Sequence, residues 1–173
     1  MNYPMRYFDM HALQATLDAR RKALGLTWAE TAVRINHPFV GTPSIPISVS
    51  TLSSMTAKHS VTSAVVLQVL AWLGRTPESF LTPPQEPSED ELLPETGPAA
   101  VLRMDTRTLY EAINAQRLER GLTWKQVARE IPLFTENMLT NLSSSPLIGF
   151  PRVMFLTQWL DKPAAAFVRV RSR

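Results

Sequence analysis

The chain has 173 residues, an apolar content of 45% and a net charge of +3, which suit one or two compact domains. It contains no cysteine, which excludes disulfides and thiolate metal sites. The three histidines, His11, His37 and His59, lack helical spacing to one another, so we interpret them as surface or capping residues rather than zinc ligands. There is no signal-peptide core and no apolar run of about 20 residues. We therefore expect a soluble, cytoplasmic protein with no membrane partner, no metal and no cofactor.

The net charge is unevenly distributed along the chain. Residues 1–80 carry 7 basic and 4 acidic side chains. Residues 81–100 carry 5 acidic side chains and no basic one, and residues 101–173 carry 11 basic and 6 acidic side chains. Two basic blocks separated by an acidic spacer fit binding to a polyanion. An ordinary mixed surface with a solubilising linker fits the same counts, so composition leaves both interpretations open.

The first helix is predicted to begin after Asp9, whose carboxylate suits the N-cap position. Leu13, Leu17 and Leu24 then fall on one helical face, which we expect to be buried. Gly25 is placed to end the helix in the left-handed conformation.

A second, shorter helix is predicted directly after this glycine. Thr27 and Glu30 have the spacing of a capping box. Trp28, Ala32 and Ile35 recur at helical spacing and predict its buried stripe. A partly exposed contact surface is the alternative interpretation of the tryptophan.

The segment 36–46 contains three prolines and therefore cannot be helical throughout. A third helix is predicted to start after Ser48, a good N-cap residue, and to bury Leu52 and Met55. Apolar residues at helical spacing indicate a fourth helix; they are Val66, Val69, Leu70 and Leu73. Trp72 is assigned to the core, and a short final turn is predicted to end in a buried Phe80.

The whole pattern occurs twice. Gly25-Leu26-Thr27-Trp28 returns 96 residues later as Gly121-Leu122-Thr123-Trp124. Around it, Asp9, Leu13, Ala19 and Arg21 recur as Asp105, Leu109, Ala115 and Arg117. The spacing then shortens to 87, which pairs Leu52 with Leu139, Trp72 with Trp159 and Phe80 with Phe167. One deletion of nine residues accounts for the change, so we interpret the chain as an internal duplication.

The duplication predicts a first domain at 1–81, an acidic, proline-rich linker at 82–101 and a second domain at 102–173. Helices of the second domain are expected after Asp105, at the Thr123–Gln126 capping box and after Thr135. The chain end, 168–173, alternates apolar and polar residues. It is either a short edge strand or a frayed basic tail.

Each half resembles the DNA-binding domains of the Cro and phage-repressor helix-turn-helix family, also called the XRE family. The matching residues are Leu26-Thr27, Ala32, Ile35 and the run 47–55 in the first half, and Leu122-Thr123, Ala128, Ile131 and the run 134–142 in the second. The ends of the two fourth helices, Ala71-Trp72-Leu73-Gly74 and Gln158-Trp159-Leu160-Asp161, are also similar to a subgroup of the family. The resemblance implies an all-α protein of two tandem helix-turn-helix domains with four to five helices each.

The family places the third helix in the major groove of DNA. Carried over by position, the base-contacting residues are Val49, Ser50, Ser53 and Ser54 in the first half and Glu136, Asn137, Thr140 and Asn141 in the second. Basic residues expected on the DNA backbone are Lys58, Arg169, Arg171 and Arg173. Asparagine suits adenine and glutamate suits cytosine, whereas serine and threonine are degenerate readers.

The function expected from this resemblance is sequence-specific binding of double-stranded DNA by a transcriptional regulator. The two domains would act as a covalent pseudo-dimer, because about 16 extended linker residues reach roughly 50 Å, whereas half-sites lie about 34 Å apart.

The alternative is a protein-binding module, an antagonist or co-regulator of another regulatory protein, built on a repurposed helix-turn-helix fold. Neither third helix has a basic residue in its first two turns, and Ile45, Ile47, Val49 and Met138 supply apolar contact surface. The serine runs lack a partner histidine or a glycine elbow, so we expect no catalytic site. Homodimerisation is left open by the sequence.

Overall fold

The computed structural model of the protein describes residues 4–57, 61–144 and 148–172. The first half contains β1 (Tyr7–Phe8), α1 (Met10–Ala23), α2 (Trp28–Ile35), α3 (Val49–Ser53), α4 (Ser63–Leu73) and β2 (Leu81–Thr82). The second half has the same order of elements: β3 (Ala100–Met104), α5 (Thr106–Glu119), α6 (Trp124–Glu130), α7 (Glu136–Thr140), α8 (Phe150–Trp159) and β4 (Val168–Ser172). Short 3-10 turns lie at His37–Phe39, Met55–Ala57, Pro77–Phe80, Glu89–Glu91, Leu142–Ser144 and Ala164–Phe167. The protein is mostly helical.

The predicted helix starts are confirmed by their side-chain caps. The Asp9 carboxylate accepts from the Ala12 amide at 2.9 Å, and the Ser48 hydroxyl accepts from the third residue beyond it at 3.2 Å. Asp105 and Thr135 cap α5 and α7 in the same way. Both capping boxes are complete, the first between Thr27 and Glu30 and the second between Thr123 and Gln126. These starts were predictable because each cap is a contact within four residues of chain.

The end of α1 confirms one prediction and corrects another. Gly25 has a left-handed φ of +67°, and the Leu26 amide turns back to donate to the Arg21 carbonyl at 3.0 Å. Leu24, predicted on the buried face, is instead 43% exposed. The helix ends one residue earlier, at Ala23, and Leu26 supplies the buried apolar side chain in its place.

The mostly helical structure is roughly consistent with the all-α prediction, but it also contains two antiparallel two-stranded sheets. β1 pairs with β2, placing Tyr7 opposite Thr82. β3 pairs with β4 over five residues, from Ala100 opposite Ser172 to Met104 opposite Val168. The chain end is therefore a strand, and the frayed-tail alternative is wrong over residues 168–172. β4 supplies hydrogen-bond partners to a strand whose residues are mostly buried, and buried backbone groups require such partners.

The predicted linker is shorter than 82–101. Thr82 belongs to β2, while Ala100 and Val101 belong to β3. Between the strands the chain is largely exposed, with the 3-10 turn Glu89–Glu91 and a partly buried Leu93 packed against the core. Local composition identified the acidic spacer, but strand pairing with distant residues set its ends.

Buried side chains of both halves form one continuous core. Most of the predicted core positions are confirmed, apart from Leu24, which is exposed, and Trp28 and Trp72, which are partly buried. The fully buried ones include Leu13, Leu17, Leu52, Met55, Val66, Leu70, Leu109, Leu139 and Val153. α4 contacts α8, β3 packs on α4, and β1 packs on α8. Phe8 of β1 meets Phe150 of α8 edge to face, with ring centroids 4.9 Å apart.

The two tryptophans assigned to the core differ. Trp159 is 9% exposed, whereas Trp72 is only partly buried. The Trp159 indole donates to Glu130 at 2.7 Å, and the sequence places Arg34 at the corresponding position of the first half. Trp72 lacks that acceptor and lies beneath the Arg20 guanidinium, 5.8 Å from its ring centroid. The assignment to the core is therefore confirmed for Trp159, whereas Trp72 is only partly buried against the core.

Contacts at the starts of α4 and α8 relate the two halves by a local two-fold axis. Thr62 forms an isolated antiparallel bridge with Gly149, and these two residues are 87 apart, the spacing of the sequence repeat. The Ser63 amide donates to the Ile148 carbonyl and the Phe150 amide donates to the Val61 carbonyl, both at 3.1 Å. Ser63 corresponds to Phe150 in the repeat, and Val61 corresponds to Ile148. Each of the two hydrogen bonds is therefore the counterpart of the other. This self-complementary arrangement is typical of a two-fold interface.

Candidate nucleic-acid interface

The third helices, α3 and α7, are each anchored by their own half. α3 packs on α2 and α7 packs on α6, with Leu52 and Leu139 fully buried beneath them. The residues predicted to contact DNA lie on the other side of these helices, where most of them are exposed.

In the first half, Val49, Ser50 and Ser53 are exposed and Ser54 is half-buried. The hydroxyls of Ser53 and Ser54 both donate to the Ser50 carbonyl, and the Ser50 hydroxyl lies 3.2 Å from that of Ser48. Because these donors are used inside the helix, α3 offers a ligand mainly acceptor lone pairs and the Val49 side chain.

In the second half, Glu136, Asn137 and Asn141 are exposed and Thr140 is half-buried. The Asn141 amide donates to the Asn137 carbonyl at 2.9 Å, and the Thr140 hydroxyl donates to the same atom at 3.2 Å. Within the described part of the chain, the Asn137 side chain forms no hydrogen bond. Its amide therefore presents a donor and an acceptor side by side, whereas the Asn141 amide is directed back to the helix.

The chain enters α3 and α7 through different turns, and each turn fixes the start of the helix that follows it. In the first half the Asn36 side chain accepts from the Ile47 amide and donates to the Ile47 carbonyl, each at 2.8 Å. This pair closes the segment between them, so Val40 and Ile45 project outward, 70% and 88% exposed. In the second half a short turn suffices, and Leu133 within it adopts a left-handed φ of +66°.

Trp28 and Trp124 are half-buried, and each supports an arginine rather than only filling the core. The Arg21 guanidinium lies 4.9 Å from the Trp28 ring centroid and donates to the Leu26 carbonyl at 2.8 Å. Arg117 repeats this arrangement over Trp124, at 4.7 Å. The recurrence of these arginines 96 residues apart was visible in the sequence, but their role in locking the helix junction was not predicted.

Corresponding residues of the first helices, Gln14 and Tyr110, make different contacts in the two halves. Gln14 joins α1 to the end of α3 by donating to the Leu52 carbonyl and accepting from the Met55 amide, both at 3.1 Å. At the corresponding position of the second half, Tyr110 stacks on Trp124 with ring centroids 5.6 Å apart. The corresponding residue of the first helix is therefore hydrogen-bonded to the end of the third helix in one half and stacked on the second helix in the other.

The predicted backbone-contacting arginines lie on the second sheet. Arg169 and Arg171 are exposed in β4, whereas Lys58 and Arg173 lie outside the described residues. Arg103 of β3 was missed; it is half-buried and donates to the Ser44 hydroxyl at 3.0 Å. Burial lowers its pKa, and repulsion from Arg171 and Arg169 lowers it further. Residues 100–104 do not alternate as residues 168–172 do, so the signal that could have identified it was a single arginine within a short apolar run.

Three further findings bear on the class of site. No group of three or more histidine or acidic side chains suited to a metal ion occurs among residues 4–57, 61–144 and 148–172. Over the same ranges, no helix combines the length and apolarity needed to cross a bilayer. Comparison with protein-family models, curated proteins and solved structures finds no match.

Proposed function

We propose that the protein is a transcriptional regulator that binds double-stranded DNA in a sequence-specific manner. In this proposal the halves are tandem helix-turn-helix domains derived from an internal duplication, and they act as a covalent pseudo-dimer. The observation that carries it is the pair of interchangeable hydrogen bonds around Thr62 and Gly149.

The local two-fold axis supports this function. Two helices that are related by rotation about an axis lie at the same distance along that axis. In this proposal the axis relates the whole of the two halves, so that α3 and α7 would lie at the same height and would approach one face of a duplex together. Helix-turn-helix dimers use this arrangement to contact half-sites about 34 Å apart. Fusion of the cores through α4 and α8 would hold the two helices at a fixed spacing.

The exposed residues of α7 suit base recognition better than those of α3. The free amide of Asn137 matches the paired donor and acceptor of adenine, and Glu136 can accept from the amino group of cytosine. On α3, Ser53 and Ser54 have already committed their hydroxyl protons to the helix backbone. We therefore assign most of the sequence preference to the second half.

Selection of bound duplexes from a random pool at physiological salt tests this function. The expected result is an enriched, asymmetric site with one strongly specified half and one weakly specified half. The two halves should be centred about one helical turn of DNA apart. Recovery of no enriched sequence, or of a palindrome with equally specified halves, would contradict the proposal.

A protein-binding function is the second candidate, favoured by one observation. Val33, Val40, Ile45 and Val49, which lie on α2, the following segment and α3 of the first half, are exposed apolar side chains. Exposed apolar surface beside a helix with few charges is typical of a protein contact. If the wild type binds no duplex above background even at low salt, this candidate replaces DNA binding.

A further inference from the structure

Three arginines share one face of the β3–β4 sheet. Arg103 lies directly opposite Arg169, and opposite residues of an antiparallel pair point to the same side. Arg171 lies two residues beyond Arg169, which returns it to that side as well. We call Arg103, Arg169 and Arg171 the arginine face.

None of the three guanidinium groups of the arginine face forms an ion pair in the described part of the chain, and like charges placed opposite each other in a sheet are destabilising. Asp105 interacts with Arg169 at longer range: the Thr108 amide is the main cause that lowers the pKa of Asp105, and Arg169 lowers it further. Its carboxylate is already used, because it accepts from the Thr108 amide at 3.0 Å as the cap of α5.

The three side chains of the arginine face differ in how they are held. Arg103 is fixed by hydrogen bonds, whereas Arg169 and Arg171 are exposed. Arg103 donates to the Ser44 hydroxyl at 3.0 Å and to the Leu102 carbonyl at 2.8 Å. Its guanidinium also lies 5.8 Å from the centroid of the Phe39 ring. Arg169 and Arg171 form no side-chain hydrogen bond to the described residues and extend into solvent. A hydrogen-bonded cation on β3 therefore lies opposite one exposed cation on β4 and diagonal to a second.

We infer that the arginine face binds the phosphate backbone of double-stranded DNA, as a contact separate from the third helices. Guanidinium groups match phosphate oxygens with two parallel hydrogen bonds. Two cations on the exposed edge strand β4, beside a half-buried one on β3, fit an extended polyanion better than a small anion, which requires an enclosing site. The inference rests on the proposed DNA binding and adds to it a contact that is independent of base sequence.

This contact belongs to the second half alone. At the positions of Arg103, Arg169 and Arg171, the first half has Tyr7, Thr82 and Pro84. One flank of the pseudo-dimer would therefore be attached to the DNA backbone and the other would not. Such an attachment would fix the orientation of the protein on an asymmetric site.

The test replaces Arg169 and Arg171 together by glutamine. Binding is followed by fluorescence anisotropy on the preferred duplex and on a scrambled duplex of the same length across a salt series. Each lost phosphate contact reduces the slope of log affinity against log salt by about 0.9, so the slope should become shallower by up to about two units. Affinity should fall by the same factor on both duplexes.

Two matched variants separate the site from net charge. Arg20→Gln with Arg34→Gln removes the same charge from the first half and should leave the slope nearly unchanged. Arg169→Lys with Arg171→Lys keeps the charge and should retain most of the slope. Equal changes in slope for the two glutamine pairs, or no change in either, would overturn the inference.

Folding and base recognition are followed separately. The Arg169→Gln, Arg171→Gln variant should melt at or above the wild-type temperature at low salt, because it removes like-charge repulsion; a lower midpoint would contradict that account. If Asn137→Ala weakens the preferred and the scrambled duplex equally while Arg169→Gln with Arg171→Gln still reduces the salt slope, base recognition by Asn137 fails and the arginine face stands. If the wild type binds neither duplex, both proposals fail.

Discussion

The two halves agree where side chains hold the fold and differ where they face outward. Arg21 and Arg117 make the same contacts with tryptophan and with the carbonyl that follows the glycine turn. At the exposed positions of the third helices, by contrast, Ser50 stands opposite Asn137 in the repeat. Corresponding positions of the two halves are thus alike where they fix the junction of the first two helices and unlike where a ligand would meet the third helix.

The interface between the halves also joins unlike side chains. Phe150 of α8 and Ser63 of α4 correspond in the repeat, yet one is fully buried against Phe8 and the other donates to the Ile148 carbonyl at 2.9 Å. The backbone contacts around Thr62 and Gly149 are therefore symmetric, whereas the side chains packed beside them are not. Asymmetry of this kind is available to a covalent pseudo-dimer, whereas two identical chains would have to place the same residue on both sides.

The largest effect should come from Phe150→Ala. Removing a fully buried aromatic side chain typically costs about 3–5 kcal/mol. Because Phe150 joins the core of both halves, denaturant unfolding followed by tryptophan fluorescence and by circular dichroism should remain one shared transition at lower denaturant. Ser63→Ala is the matched control and should cost about 1 kcal/mol, the value of one hydrogen bond. Two separate transitions, with only the second half weakened, would show that the halves fold independently.

Trp159→Ala should cost more than Trp72→Ala. The first removes a buried ring and leaves Glu130 without its indole donor, for a loss of about 3–5 kcal/mol. The second removes a half-buried ring, so its apolar contribution should be roughly half as large, in proportion to the area buried. Urea denaturation of both variants measures the difference. Equal losses would mean that the two fourth helices are covered to the same extent.

Leu133→Gly should stabilise the protein. A leucine in the left-handed region costs about 1–2 kcal/mol relative to an unstrained conformation, and glycine relieves most of that strain, offset by its greater freedom in the unfolded chain. The expected gain in unfolding free energy is therefore about 0.5–1 kcal/mol, measured by thermal melting. Ile45→Gly in the longer turn of the first half provides the control and should give no gain. A loss of stability for Leu133→Gly would argue against a strained turn before α7.

The smallest effect concerns Glu78, which crosses from the first half to accept from the Ala164 amide at 2.7 Å. Burial raises the pKa of its carboxyl above the ordinary value of 4.5, and the amide only partly opposes this. The native state therefore holds the proton more tightly than the unfolded state, so this group's contribution to stability declines as pH rises through and above 4.5. Relative to wild type, Glu78→Gln should gain stability over that range and level off above the native pKa.

Glu130→Gln gives the opposite sign in the same titration. Hydrogen bonds from Arg120 and then from Trp159 lower the pKa of Glu130. Its stabilising contribution is present above pH 4.5 and is lost as pH falls through the lower native value. Thermal melting of both variants from pH 3 to pH 8 measures the pair. Parallel curves for the two variants would contradict the environments described for the two carboxyls.

Sequence reasoning identified those features that depend on short stretches of chain. The caps at Asp9, Ser48 and Thr135 and the spacing of core leucines lie within one or two helical turns, where pattern and structure are directly connected. The strand at 168–172 was left undecided because its partner, β3, lies more than 60 residues earlier. The pairing of β4 with β3 depends on β3 being a buried strand that needs hydrogen-bond partners. The local sequence around residues 168–172 carries no information about this.

The candidate interface was predictable in part for the same reason. The spacing of residues in α3 and α7 indicated which side chains are exposed, but not which ones are already hydrogen-bonded. Asn137 and Asn141 look equivalent in the sequence, yet only Asn141 directs its amide to the helix carbonyl. The closing contact of Asn36 with Ile47 spans eleven residues and was likewise invisible to a search for turn motifs.

The most direct test compares Asn137→Ala with its counterpart in the first half, Ser50→Ala, on the selected duplex and on a scrambled one at physiological salt. Loss of a bidentate base contact should cost about 1–3 kcal/mol on the selected duplex and little on the scrambled duplex. Ser50→Ala should change neither affinity appreciably. This result would assign base recognition to the second half. Equal weakening of both duplexes by Asn137→Ala, or an equal loss of preference in both variants, would contradict that assignment.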